Sequence, residues 1–378
     1  MSLLGFIAKL LALAGVAGLI YQVASALAVR RFMSRTAPPP KKRPPVTVLK
    51  PLCGADPGLE AHLTALLRQG YPELQVVCGV SDPADPAVAV VRRVMEQFPR
   101  DDIELVIDST THGSNLKIGN LINMMRAARH ELLVIADSDV APHDGYLDQA
   151  VEPFADPKIG LVTFLYVGRP LSDSASRLGA IGINHGFLPS ALVARWLGRE
   201  DGCFGATIAM PAALLNRLGG FEAVADKLAD DWELGAMVRA AGLKIAIAAR
   251  PVALTVAERD LQNLFDHEVR WGRTIAAVDR ASYIASVVTQ PVALALLSVL
   301  VGGWRWLPLL ALAMAVRAWV VRTQERALRL ANGSLADLLL RDLLSFVVFV
   351  TACCGKTVLW RGKRFTVGSD GKLTLLEG

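Results

Sequence analysis

The sequence predicts an α/β fold, a mostly parallel, doubly wound sheet carried between apolar membrane segments at the two ends of the chain. Three observations lead there. Strand-length apolar runs alternate with helix-length segments through the middle of the chain, and long apolar runs stand at both ends. The 378 residues carry 53% apolar side chains and a mean hydropathy of +0.39. A soluble domain is about 45–50% apolar, so part of this chain is expected in lipid.

Residues 3–29 are apolar except for Lys9 and a few neutral polar side chains. At about 1.5 Å per helical residue the run is long enough to cross a bilayer with tilt, so residues 1–30 are read as a transmembrane anchor. A cleaved signal peptide is the rival reading, because Ala24-Ser25-Ala26 and Ala26-Leu27-Ala28 resemble cleavage sites. The length of the run and its lack of a basic start count against it. Arg30, Arg31, Arg35, Lys41, Lys42 and Arg43 follow among prolines, which makes residues 31–45 a stiff basic linker. Positive charge beside a span marks the cytoplasmic side, where anionic headgroups attract it, and the net charge of +5 fits such a surface.

Residues 46–280 form the expected soluble domain. Runs 46–52, 74–80, 103–107 and 132–136 read as strands; helices open at Asp56-Pro57 and Asp85-Pro86, and another covers 120–128. Beyond them come a strand at 160–166, a helix at 175–196 and a glycine-rich turn into a strand at 202–210. Alternating strand and helix gives a parallel sheet whose ligands sit beyond the carboxyl ends of its strands. Asp82, Asp137 and Asp139 all fall there.

Several classes are excluded. No aromatic-basic interleaving and no helix-turn-helix or zinc-knuckle spacing supports nucleic-acid binding. The five cysteines are scattered and imply no disulfide framework, and the six histidines lack zinc spacing. No Gly-x-Gly-x-x-Gly follows the first strand, and Cys354-Gly355-Lys356-Thr357 fails as a P-loop because Val350 stands where a glycine is needed.

The chemistry concentrates in three places. Asp137-Ser138-Asp139 closes an apolar strand with two carboxylates, a pair able to grip a divalent cation that in turn holds a diphosphate. The segment 228–234 opens a helix with Asp230 and Asp231, one a candidate cap and the other a candidate base. His267, Arg270 and Trp271 lie three and four residues apart, which puts an imidazole, a cation and an indole on one helical face suited to a diphosphate and a sugar.

In this order the segments resemble inverting GT-A glycosyltransferases of families 2 and 21, the lipid-directed group that includes ceramide glucosyltransferase. Val48-Leu49-Lys50-Pro51-Leu52-Cys53-Gly54 is similar to the opening strand of that group, and Val80-Ser81-Asp82 with Asp85-Pro86 to its first aspartate motif. Asn115-Leu116-Lys117 with Asn120-Leu121 resembles its Asn-x-Lys-x-x-Asn-Leu segment. Asp137-Ser138-Asp139, Asp231 and Arg270-Trp271 follow as its later motifs. Residues 160–166 and 204–209 resemble the bacterial hopanoid-associated branch, for which N-acetylglucosamine transfer to a hopanoid polyol is implied.

The resemblance implies a UDP-sugar donor, a membrane lipid acceptor and a divalent cation, Mg or Mn. It implies that Asp82 contacts the uracil or ribose, that Lys117, Asp137, His267, Arg270 and Trp271 hold the donor, that Asp139 binds the metal, and that Asp231 is the base. His267 departs from the family's Gln or Arg. A bacterial inner-membrane, multi-pass protein with a cytoplasmic catalytic domain is expected.

Residues 281–360 are expected to be membrane segments: a span over 283–301, an aromatic turn at 302–306, a return over 307–321, a charged cytoplasmic stretch at 322–342 and an apolar run over 343–360. Residues 361–378 read as a basic tail. Parity places the C-terminus outside, whereas Arg361, Lys363 and Arg364 place it inside, so one segment is expected to lie in the interface or re-enter. The spelling Asn332-Gly333-Ser334 is a glycosylation sequon without meaning on a cytoplasmic loop.

Overall fold

The computed structural model describes residues 3–36, 38–199, 202–331, 333–360, 363–368 and 373–376. The sequon's Asn332, the linker's Ala37 and much of the basic tail, Arg361 included, lie outside the described residues. Helix α1 (Leu3–Met33) leads into strand β1 (Val46–Pro51), and the domain continues α2 (Leu59–Leu67), β2 (Leu74–Val80), α3 (Pro86–Gln97), β3 (Asp102–Ile107), α4 (Leu116–Met124) and β4 (Leu132–Ala136). After β4 come β5 (Val140–Ala141), α5 (Tyr146–Val151), β6 (Ile159–Thr163), β7 (Tyr166–Pro170), α6 (Ser174–Gly182) and α7 (Leu188–Trp196). Next are β8 (Thr207–Pro211), α8 (Ala212–Arg217), α9 (Asp230–Ala240), β9 (Lys244–Ile247), β10 (Val252–Val256) and α10 (Leu261–Val278).

The seven-stranded sheet runs β3-β2-β1-β4-β8-β6-β9. Strands β1 to β4 are parallel, and β8 lies antiparallel between β4 and β6. Successive residues feed opposite faces: Val48, Val76 and Val134 enter one core, while Leu49, Val77 and Leu133 enter the other. Burial on both sides is why these strands read as continuous apolar runs. Gly79 is required in β2, because a Cβ there would meet Met124 at 2.4 Å and Asn120 at 2.5 Å.

Local signals start the helices, with shifts. Asp85 caps α3 as its Asp-Pro spelling predicts, accepting the Ala87 amide. Asp56-Pro57 opens no helix; α2 begins at Leu59 after Gly58 at φ 87, which leaves Asp56 free to face the strand ends. Helix α4 starts earlier than expected, at Leu116, with Asn115 as its cap. The strand predicted over 160–166 breaks after Thr163, and Tyr166 begins β7 in a second sheet, β5-β10-β7. The predicted 175–196 helix contains a π-helical turn, Ile183–Phe187, that joins α6 to α7.

The C-terminal region departs most from expectation. The run 283–301 is no single helix: α11 (Arg280–Ala285) with the turn Ser286–Thr289 meets α12 (Pro291–Gly302) at a 76° bend. Pro291 cannot continue a helix through Gln290, whose φ/ψ of −114° and 58° mark the break. Helix α13 (Leu307–Leu328) outlasts its apolar run. Helix α14 (Leu335–Cys353) begins inside the stretch expected to be a charged loop and stops before residue 360. The chain then forms a three-stranded sheet, β11 (Thr357–Trp360), β12 (Lys363–Val367) and β13 (Leu373–Leu375), partly from the expected basic tail. Among the described residues, two helical stretches, Leu3–Met33 and Trp304–Leu328, are long and apolar enough to cross a membrane; the bent pair makes a third if it is one broken span.

Gly18 of α1 lets the bend approach. A Cβ there would meet the Val288 carbonyl at 2.3 Å and Pro291 at 3.0 Å. Close backbone contact through small residues is the usual means of seating helices together in lipid.

Candidate active site

The sheet's strand order reverses about β1, so a crevice opens beyond the carboxyl ends of β1 and β4. The Asp137-Ser138-Asp139 turn stands there, between β4 and β5. Its backbone is fixed on all sides: the Asp137 amide donates to the Ala206 carbonyl at 3.0 Å and the Asp139 carbonyl accepts the Thr255 amide at 3.0 Å. The buried Lys50 ammonium, from β1, donates to the Asp137 carbonyl at 2.6 Å, and Ser138 donates to Asp56. The turn so held keeps the Cα atoms of Asp137 and Asp139 in place, so both carboxylates issue from a fixed backbone at the strand end.

Lys117, at the start of α4, forms an ion pair with Asp137 at 2.5 Å and donates to the Gly205 carbonyl at 3.3 Å. Burial works against its charge, but Asp137, Asp230 and Asp231 outweigh that and hold its pKa above the ordinary lysine value. Gly205, in the glycine-rich turn, lies against Asp231, and a Cβ there would meet the Asp231 Oδ2 at 3.2 Å. The turn's small residue therefore keeps Asp231 approachable.

Helix α9 opens at the Asp pair, yet Asp230 is no cap; its carboxylate accepts from the Asn115 side-chain amide at 3.2 Å. Asp231 accepts its neighbour Trp232's amide at 2.7 Å. Burial and then the Asp230 charge push the Asp231 carboxyl up to about 7. Burial and then Asp137 push Asp139 up to about 7 as well. Carboxylates Asp56, Asp137, Asp139, Asp230 and Asp231 thus share one region with two ammonium groups, Lys50 and Lys117. That excess of negative charge is relieved by protonation, or by a cation.

Among the described residues no three His, Cys, Asp or Glu side chains are placed to encage a metal ion. The donor set nonetheless fits a hard divalent cation of the kind held by one or two carboxylates plus substrate phosphates. Asp139 and Asp137 supply the oxygens, and the raised Asp139 marks where added positive charge is wanted.

The remaining expected residues are distributed around this centre. Asp82 stands at the β2 end, exposed, with its carboxylate accepting the Ala84 amide at 2.8 Å. Helix α10 divides the trio that its spacing put on one face, because successive helical residues point about 100° apart. Trp271 packs with Ala180, Ile183 and Val256 beside Tyr166 and Phe187. His267 lies tilted against Trp271, ring centres 4.3 Å apart, and pairs with Glu258 at 2.8 Å. Arg270 lies on the other flank, lining a cavity of about 380 Å³ with Arg273 and Arg364 under the C-terminal sheet. That sheet reaches back toward the Asp pair, since Val358 and Phe365 pack on Leu228.

Sequence reasoning missed three residues here. Lys50 was one letter of a strand, and no signal within it announces a buried ammonium under the Asp-Ser-Asp turn. Asp56 passed as a helix opener. Tyr166 stacks on Phe187 at 4.4 Å, and burial together with the charges of Asp231, Asp139 and Asp137 pushes its phenol up; only the tertiary fold brings it near them.

The fold and the sequence both have counterparts among known proteins. Ceramide glucosyltransferase 1 of Caenorhabditis elegans is 25% identical over 385 aligned residues, covering 97% of this chain and 81% of the relative. Ceramide glucosyltransferase 3 of the same organism is 25% identical over 352, covering 87% and 74%. A mannosyltransferase from Pyrobaculum calidifontis, solved in complex with GDP-Man and Mn2+, superposes with a TM-score of 0.57 over 93% of this chain and 98% of that one; at 23% identity this shows a shared GT-A fold. The profile of Glycosyl transferase family 21 matches residues 10–373, from the first helix to the last strand. With its mostly parallel sheet and its aspartates at the strand ends, the chain belongs to glycosyl transferase family 21 and is a sugar-transferring enzyme that resembles ceramide glucosyltransferase.

Proposed function

We propose that this enzyme moves a sugar from a UDP-sugar to the hydroxyl of a membrane lipid in one inverting displacement, with the catalytic domain facing the cytoplasm. The observation that carries the reading is the convergence of Asp139, Asp137, Lys117 and Asp231 at one sheet edge. Asp231 is the base. A carboxyl lifted to about 7 is matched to taking a hydroxyl proton near neutral pH. As the acceptor oxygen attacks the anomeric carbon from the face opposite the leaving diphosphate, its proton passes to Asp231. An α-linked donor then gives a β-linked product.

Asp139, with Asp137, would hold a Mg or Mn ion; when bound, that ion neutralises charge developing on the leaving diphosphate. Lys117 orients the Asp137 carboxylate and adds fixed positive charge to the same place. Asp82 is assigned to the uracil or ribose, and His267, Arg270 and Trp271 to the donor's diphosphate and sugar. Trp271's packing beside Tyr166 supports its part of this assignment, while Arg270 lines the cavity beneath the C-terminal sheet.

The lipid acceptor has physical support in the route to Asp231. Phe187 and Phe204 pack with Phe32 and Val29 at the end of α1, and Phe204 precedes the Gly205 that touches Asp231. An amphiphile seated along this apolar wall presents its hydroxyl to the base while its body stays in the bilayer. N-acetylglucosamine on a hopanoid polyol is the specific reading, from the resemblance of residues 160–166 and 204–209. Glucose on ceramide is the second, favoured by the similarity to the nematode enzymes. Membranes containing the protein, incubated with UDP-sugars and with hopanoid polyol, ceramide or diacylglycerol, separate them by lipid mass spectrometry. A hexosamine increment on the hopanoid supports the first and a hexose increment on ceramide the second. No increment on any lipid overturns both.

A further inference from the structure

The C-terminus of α7 and the end of α1 form a cationic, aromatic surface that the proposed transfer reaction does not use. The two helices are packed together: Val29 and Phe32 of α1 share an apolar cluster with Leu192 and Val193 of α7, and Tyr21 shares a 2.6 Å hydrogen bond with Ser190. This contact brings Arg195, Trp196 and Leu197 to Arg31 and Arg35, from parts of the chain with no sequence relation. The Arg31 guanidinium lies 5.9 Å from the Trp196 ring and the Arg35 guanidinium 5.3 Å from the Phe32 ring. The rings hold these cations in place.

No acid does so among the described residues. Partial burial, and then the charges of Arg195 and Arg31, both of its own sign, pull the Arg35 pKa down. Exposed cations normally scatter or pair; three gathered here, two of them against aromatic rings, leave a repulsion that an anion would relieve. The surface beside them is apolar, with Trp196 43% and Leu197 79% exposed. It stands where a bilayer-length helix ends. Trp at such a boundary, with Arg reaching outward, matches the headgroup level of a membrane.

We propose that Arg31, Arg35, Arg195 and Trp196 form a binding site for an anionic phospholipid, whose phosphate sits among the guanidiniums while an acyl chain runs along Leu197. The site differs from a general attraction of the basic linker, because half of it comes from α7. Phe32, buried beneath Arg35, belongs to the same apolar cluster as Phe187 and Phe204, so the site adjoins that wall.

The test uses the full chain, purified in mild detergent and offered equal phosphatidylglycerol and phosphatidylcholine, with bound lipid read by native mass spectrometry. The wild type is expected to retain phosphatidylglycerol preferentially, and Arg35→Gln with Arg195→Gln to lose that preference by about fivefold per arginine. Trp196→Ala is expected to weaken retention of both lipids. Arg92→Gln, an exposed substitution on α3, keeps the wild-type preference and is the one-charge control for Arg195→Gln alone. Equal retention of the two lipids by the wild type overturns the proposal. So does an unchanged preference in the double variant, or an equal loss with Arg92→Gln. Arg195→Gln alone leaves every cation of the linker intact, so the loss expected from that variant does not come from the linker.

Discussion

The sheet edge and the helical side of the molecule both concentrate charge away from water, and they balance it differently. Where α10, α13 and α14 meet the rest of the protein, each buried guanidinium has its own carboxylate. Arg341 grips Glu268 through two bonds of 2.6 and 2.7 Å, and Arg317 holds Asp342 at 2.9 Å while donating to Gln22 and the His185 carbonyl. These are closed pairs. At the sheet edge, carboxylates outnumber ammonium groups, and two of them, Asp139 and Asp231, are pushed up to about 7. Matched charge fixes elements relative to one another, whereas unmatched charge leaves a site that a cation, a proton or a substrate must complete.

Substitutions sharpen this contrast. The largest effect is expected from Asp231→Asn, which removes the base without altering shape. Transfer should fall by about 10²–10⁴-fold, the usual worth of a positioned base, with UDP binding nearly unchanged. Near wild-type turnover would remove Asp231 from the mechanism. On the closed side, Arg341→Met strands Glu268 and is expected to cost about 3–5 kcal/mol in stability. Adding Glu268→Leu should recover most of that loss in a denaturation midpoint; if the double variant is no better than the single, the pair is not a closed one.

Asp139→Ala should weaken divalent-dependent UDP binding by at least about tenfold, the lower bound for residues that only support metal ligands. Calorimetry with and without Mn checks it, and metal dependence that persists unaltered excludes Asp139 from the cation's ligands. The smallest change is expected from Asp230→Asn. Asp231 is competent when deprotonated, so the transfer rate should rise with pH through about 7 in the wild type. Removing the Asp230 charge lowers the Asp231 pKa, and the rising limb should move to lower pH by up to about one unit. A limb that stays in place would mean that another group sets it.

Much of this was legible in the residues. Alternating apolar runs gave the strands, Asp-Pro gave the α3 cap, and the aspartates fell at strand ends because a parallel sheet aligns its carboxyl edges. The misses share a cause. The bend at Gln290 and the strand at Thr357 lie inside predominantly apolar runs, where composition alone does not distinguish one long helix from a broken one, and the π-helical turn at Ile183–Phe187 lies inside one helical run.

By itself, then, the sequence determined the order and type of the central elements, the two apolar ends, and the position of the aspartates at the strand ends. Those properties depend on neighbours a few residues apart, which set backbone preference and the face each side chain takes. The tertiary structure alone decided that Asn115 reaches Asp230 across 115 residues and that Lys50 lies beneath Asp137 across 87. It also decided that Trp271 packs beside Tyr166 while Arg270 lies under the C-terminal sheet. A carboxylate's pKa and a cation's partner are set by the field of whatever packing brings within a few ångströms, and in a folded chain those groups come mostly from distant sequence.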